Sequence, residues 1–213
     1  MSIPKWISWA GLAAILGGIL MMVLENLWFL GHGPTGVDQR QLIFGLQNQF
    51  YRDLTFIPAV LVLYALVAFH SQHKQSYSRP ARAGFMITSV GYIVGLLGNF
   101  LQYHTFYFGH PVVVAGFILD FFVAWPLLII GWSTFGFAFI RMSVIPQWTR
   151  FLLLLLGMAF AVPAAWFFVD PAPESGYPPS VIGAVLQGLG WLLLGTSMIS
   201  QPRTQVADRN VAS

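Results

Sequence analysis

The stretch AGFMITSVGYIVGLLGNFLQYH, residues 83–104, runs without a charged side chain and ends on an asparagine, a glutamine and a histidine. As a helix it reaches across a hydrocarbon core about 30 Å thick, which takes ~20 apolar residues. Within it Gly84, Thr88, Gly91, Gly95, Asn99 and Gln102 follow one another at steps of three or four and so share one helical face. Small residues in such a row let neighbouring backbones approach, which makes this the face that packs in a bundle. Asn99 and Gln102 continue the row and are expected to point toward protein, near one end of the helix.

The rest of the chain has the same character. Of its 213 residues 57% are hydrophobic and 8% charged, against about a quarter charged in a soluble domain. The sequence predicts an all-α, polytopic membrane protein, a bundle of six transmembrane helices at about 6–30, 54–72, 82–104, 111–141, 149–169 and 179–200. These form one domain over residues 1–200, followed by a tail, 201–213, that lacks an apolar period and is expected to be disordered. The first run starts after Lys5, has no clear cleavage site after it, and reads as a retained helix. The fourth span is long, and Pro126 gives a reason for a kink by removing a backbone donor. In the first long loop Leu42, Ile43, Leu46 and Phe50 recur at helical spacing, which suggests a short interfacial helix, with a solvated connector as the alternative.

An even number of spans puts both termini on one side. Lys5, Lys74, Arg79, Arg82, Arg141, Arg150, Arg203 and Arg209, eight of the ten basic residues, lie on that side, against Arg40 and Arg52 on the other. The positive-inside rule then places both termini in the cytoplasm of a multi-pass protein of the cell (inner) membrane. The net charge of +3 follows from the same bias, and no nucleic-acid partner is expected. Trp6, Trp9, Trp28 and Trp148 stand where interfacial tryptophans are favoured, while Trp125 and Trp132 read as packing or as the lining of an aromatic site.

A shift of 73 residues overlays Ala10 on Ala83, Gly11 on Gly84, Gly18 on Gly91 and Asn26 on Asn99. The three hairpins would then be a weak parallel repeat about an axis along the membrane normal.

Polar groups in hydrocarbon cost about 2.5–3.5 kcal/mol for a central Asp or Lys, so each calls for a partner or a cavity. Gly11, Ala14, Gly18, Met22 and Glu25 form one stripe, Gly116, Asp120, Ala124 and Gly131 another, and Gly183, Gln187 and Gly190 a third. At ~1.5 Å per residue Glu25 and Asn99 lie ~8 Å below the external ends of their helices, Gln187 ~12 Å and Asp120 ~13 Å. The candidate ligand-binding set is therefore Glu25, Asn26, Asn99, Gln102, His104, Asp120 and Gln187, with Asn26 and His104 at its rim.

Three readings fit this cluster. It binds or transports a small ligand, cation or proton; it only fixes helix register, in a structural or accessory subunit; or it is a membrane-embedded enzyme site using Glu25 or Asp120 with His104. No HExxH metal motif, Walker loop, GxSxG elbow or dinucleotide fingerprint is present, and with no cysteine there is no thiolate ligand. No metal or cofactor is expected. His70 and His73 read as solvated interfacial residues at the cytoplasmic end of the second span, which gives haem no pair of ligands at matched depth. Besides the lipid bilayer, the partners in view are a small ligand or ion and, through the glycine faces, a homo-oligomer or a larger membrane complex.

Overall fold

The computed structural model describes residues 5–30, 32–33, 36–37, 42–43, 46–103, 110–141, 147–169 and 178–200. Its helices are α1 (Lys5–Leu30), α2 (Asn48–Leu54), α3 (Phe56–His73), α4 (Arg79–Tyr103), α5 (His110–Phe117), α6 (Trp125–Ile140), α7 (Gln147–Val169) and α8 (Pro178–Ser200). A π-helical segment, Ile118–Ala124, joins α5 to α6, so these three make one span. Five spans are long and apolar enough to cross a membrane, and α7 adds the shorter apolar stretch Phe151–Ala165. The expected tail over 201–213 lies outside the described residues.

The six spans pack as a ring in the order α3, α1, α8, α7, α6, α4, with α4 returning to α3. Neighbours run antiparallel. Gly18 faces Gly188 and Gly11 faces Gly195 across α1 and α8, while Gly84 faces Phe135 and Gly131 faces Thr88 across α4 and α6. The start of α1 and the end of α8 therefore share one end of the bundle, the terminal end, and the 30–54 connection lies at the other, the far end.

The outer surface is apolar on every side. Leu12, Leu16, Ile19 and Val23 on α1, Val60, Tyr64 and Val67 on α3, and Met86, Val90, Ile93 and Leu97 on α4 are exposed at steps of three or four. Soluble monomers seldom expose contiguous apolar patches beyond a few hundred Å²; such a belt suits contact with a bilayer. Trp9, 64% exposed, and Trp6 and Trp148 stand out at the terminal end, as interfacial tryptophans do. Inside, Tyr92, Trp132, Phe160 and Trp191 meet at mid-depth, and Phe69, Phe85, Phe135 and Phe139 fill the terminal-end half.

Three details depart from the sequence expectations. First, α4 starts at Arg79 rather than 82, because Ser78 caps it: its Oγ accepts from the Ala81 N–H at 3.4 Å, and Pro80 sits in the first turn, where no donor is needed. Second, Leu42 and Ile43 are not helical but pair antiparallel with Gln47 and Leu46, and α2 begins only at Asn48. The hairpin leaves Leu46 and Phe50 exposed, whereas Tyr51 and Leu54 pack on Leu24 and Leu27 of α1. Third, the long fourth span is interrupted by the π segment, and Pro126 lies in the first turn of α6 directly after it.

The two stripes matched by the 73-residue shift both make close seams, but with different partners. Gly11 and Gly18 pack on α8, from another hairpin, whereas Gly84 and Gly91 pack on α6, within their own.

Candidate functional site

The site is built on the row Gly91, Gly95, Gly98 and Gln102 of α4. Each of these glycines leaves room that a neighbour occupies. A Cβ on Gly98 would stand 2.7 Å from the Asp120 backbone nitrogen and 2.9 Å from the Gly116 carbonyl oxygen, and one on Gly95 would meet the Asp120 carboxylate at 3.8 Å. The carboxylate of Asp120 is thus laid along a strip of α4 that carries no side chains, and the residue is only 8% exposed.

The π segment explains why Asp120 faces α4. Gly116, Asp120, Ala124 and Leu128 meet α4 at successive steps of four, and Gly131 and Phe135 continue the row. In an α-helix a step of four overshoots the turn by about 0.4 residue, so three in succession rotate the row off the seam. A π turn closes i→i−5 bonds, here from the Trp125 N–H to the Asp120 carbonyl oxygen, and takes up the surplus. Pro126 favours this geometry, because its ring crowds the carbonyl four residues back and it can donate no i→i−4 bond.

Around Asp120 the far-end half of the α4 seam is rich in acceptors. Asn99 and Gln102 are half-buried, and the Gln102 side-chain oxygen is buried without a donor among the described residues. Gln102 lies one turn beyond Gly98, with its backbone against Gly116, and helical side chains lean toward the N-terminus of their own helix, here toward the level of Asp120.

The other predicted residues fall on a second pair of helices. Glu25 and Asn26 of α1 and Gln187 of α8 are half-buried; because Gly188 meets Gly18 and Met22, Gln187 stands about one turn or more deeper in the bundle than Glu25. The Asn26 amide donates to the Met22 carbonyl of its own helix, and its side-chain oxygen is buried without a donor. The close neighbours of α1 are α2, α3 and α8, and those of α4 are α3, α5, the π segment and α6. The set is therefore held as two groups, one on each side of the ring. His104 lies outside the described residues. Among the described residues, no three His, Asp or Glu side chains come together as a metal would need.

Below the far-end groups the interior holds polar atoms that the sequence reading took for packing or passed over. At mid-depth the rings of Tyr92, Trp132 and Trp191 form a triangle with centroid distances of 6.4, 6.2 and 5.6 Å. Both indole N–H groups lie near the Tyr92 hydroxyl, at the margin of hydrogen bonding, and among the described residues none of the three polar atoms completes a well-formed bond. One turn toward the terminal end, the hydroxyls of Ser89 and Thr88 are also buried and unbonded. A buried donor without a partner costs about 1–3 kcal/mol, so such a group implies a bonding partner outside the chain. A signal for them was present: Phe85, Ser89, Tyr92 and Asn99 form a second row of threes, fours and sevens beside the glycines.

At the terminal end the reading of His70 and His73 as solvated is corrected. His73 is only 5% exposed, and its Nδ1 lies 3.0 Å from the Phe69 carbonyl oxygen. His70 stacks on Phe85, with centroids 3.7 Å apart and planes 9° from parallel. The cause is the tight α3–α4 hairpin: one 3₁₀ turn, Lys74–Ser76, leads straight into the Ser78 cap and tucks Tyr77 back against His70, Phe135 and Phe139. Burial there pushes the pKa of the Tyr77 hydroxyl well above its ordinary value. Lys74, Arg79, Arg82 and Arg141 surround this end and are exposed.

Comparison with protein families, with curated proteins and with solved structures finds no match for this chain.

Proposed function

We propose that this multi-pass membrane protein binds, and by its position in the bundle transports, a small cation or a proton at an acceptor site between α4 and the π segment. The observation that carries the reading is the buried Asp120 carboxylate, turned by the π segment onto the side-chain-free strip of α4 at Gly95 and Gly98, with the donorless Gln102 oxygen one turn away. A buried carboxylate beside further acceptor oxygens suits a hard cation, an ammonium group or a proton. The basic bias toward the terminal end favours cytoplasmic termini in the inner membrane, which opens the Asp120 site toward the outside. The enzymatic alternative would need Glu25 or Asp120 to meet His104.

The test is thermal stability of the purified protein in sodium, potassium or ammonium, and across pH. A ligand at about 100 times its Kd adds about 2.7 kcal/mol to the folded state. Wild-type protein is expected to melt higher with one of these cations or with a change of pH, and Asp120→Asn to lose that response while staying folded. An unchanged response in Asp120→Asn, or none in the wild type, overturns the reading.

A further inference from the structure

Among the described residues, buried polar atoms without a hydrogen-bond partner include Asn26 Oδ1 and Ser197 Oγ on the α1–α8 side. On or against α4 they form a series: Gln102 Oε1; the Tyr92 hydroxyl, facing the N–H groups of Trp132 on α6 and Trp191 on α8; Ser89 Oγ; Thr88 Oγ1; and, at the terminal end, the Tyr77 hydroxyl and His70 Nδ1, where His70 stacks on Phe85. Asp120, set against Gly95 and Gly98, fills the one long interval. Successive levels along α4 (Gln102, Gly98, Gly95, Tyr92, Ser89, Phe85) are three or four residues apart, roughly 4.5–6 Å each and roughly 25 Å in all. The steps of three also turn gradually round α4, from the α6 seam at Gly98 through Tyr92 in the interior to Phe85 against α3, and a bridging water, which needs two to four polar partners, can span an axial rise of that size.

We infer that α4 carries a hydrated proton path from the Asp120 site to His70 at the terminal end; this rests on Asp120 being a cation or proton site and names the proton as what moves. The chemistry of each level suits the role. A proton on the Asp120 carboxylate passes to a water; the Tyr92, Ser89 and Thr88 hydroxyls each take a proton on oxygen and release their own. His70 accepts at Nδ1 and releases to water beside the exposed Lys74 and Arg82. No bond other than O–H and N–H changes, and nothing is oxidised or reduced. Trp132 and Trp191 relay nothing, because an indole N–H only donates; their two N–H groups hold a water against the Tyr92 hydroxyl. Thr88, against Gly131, and Ser89 lie on different sides of α4 at one level, so loss of one still leaves a hydroxyl there by another route, whereas Tyr92 has no substitute.

The experiment is proton flux into liposomes of the full-length protein, read by an entrapped pH-sensitive dye under an imposed pH gradient. Tyr92→Phe keeps the ring and removes the hydroxyl; it is expected to lower the flux about tenfold or more. Ser89→Ala is expected to lower it less, and Ser89→Ala with Thr88→Val as much as Tyr92→Phe. Should Tyr92→Phe fail to fold, the double variant carries the test. Flux unchanged in the folded variants, or no flux in the wild type, overturns the path. Binding at Asp120 is read separately by melting temperature, so a cation response without flux removes the path and leaves the site.

Discussion

The α1–α8 and α4–α6 seams share a sequence pattern and use it differently. Both are antiparallel contacts built on glycines seven apart, Gly11 and Gly18 on one side, Gly84 and Gly91 on the other. Across α1–α8 glycine faces glycine: a Cβ on Gly18 would stand 2.5 Å from the Gly188 carbonyl oxygen, and one on Gly195 2.5 Å from that of Gly11. The backbones themselves touch, and the seam is filled. Across α4 the backbones also touch, at Gly84 against Gly131 and Phe135 and at Gly98 against Gly116 and Asp120, but between these points Gly91 meets the side chain of Leu128 and Gly95 the carboxylate of Asp120. One seam only joins two helices; the other also holds a carboxylate between them. A stripe of small residues predicts close approach, and the partner's residues decide whether the approach is adhesive or makes a site.

The comparison breaks most sharply at glycine. Gly98→Val and Gly188→Val both drive a branched side chain into backbone and are each expected to cost about 1–3 kcal/mol or more in thermal unfolding. The cation or pH response should vanish in Gly98→Val, which lifts the π segment off α4, and survive in Gly188→Val. Loss of the response in both would mean the two seams act as one.

Pro126→Ala should separate stability from binding. Restoring a backbone donor lets the π turn relax toward α geometry, so melting is expected to hold or rise while cation affinity falls about tenfold as Asp120 rotates off the seam. Equal affinity would show that the π turn does not position Asp120. The smallest effect belongs to the matched asparagines. Asn26→Ala and Asn99→Ala are each expected to cost about 0.6 kcal/mol, typical of a polar group in a membrane bundle. Only Asn99→Ala should also weaken the cation response, measured in the same melting series.

Much of this was legible in the residues. Spans follow from apolar length, and the facing of Gly84, Gly91 and Gln102 follows from their spacing, because both depend on one helix at a time, although the row runs through Gly98 where the spacing had put Asn99. What spacing could not supply was which helices become neighbours. Glu25 and Asp120 share a depth, but the ring order places them with different partners. The π turn escaped because Gly116, Asp120 and Ala124 already read as a row at steps of four, although the drift of such a row against the helical period was itself the clue. His73 was misread because its burial comes from the tight Ser78-capped hairpin, and the SRPA sequence that announces the cap lay just before the span as drawn. The short helix in the long loop was placed too early because Leu42, Ile43 and Leu46 fit a helical period over too few residues to distinguish it from a hairpin.

The most direct measurement is the infrared spectrum of the carboxyl groups as pH or cation concentration is varied, in wild type, Asp120→Asn and Glu25→Gln. A cation or proton site at Asp120 predicts a carboxyl band that responds to the titration, disappears in Asp120→Asn and persists in Glu25→Gln. A responding band that survives Asp120→Asn, or that is lost in Glu25→Gln instead, would contradict the assignment of the site to the α4 seam.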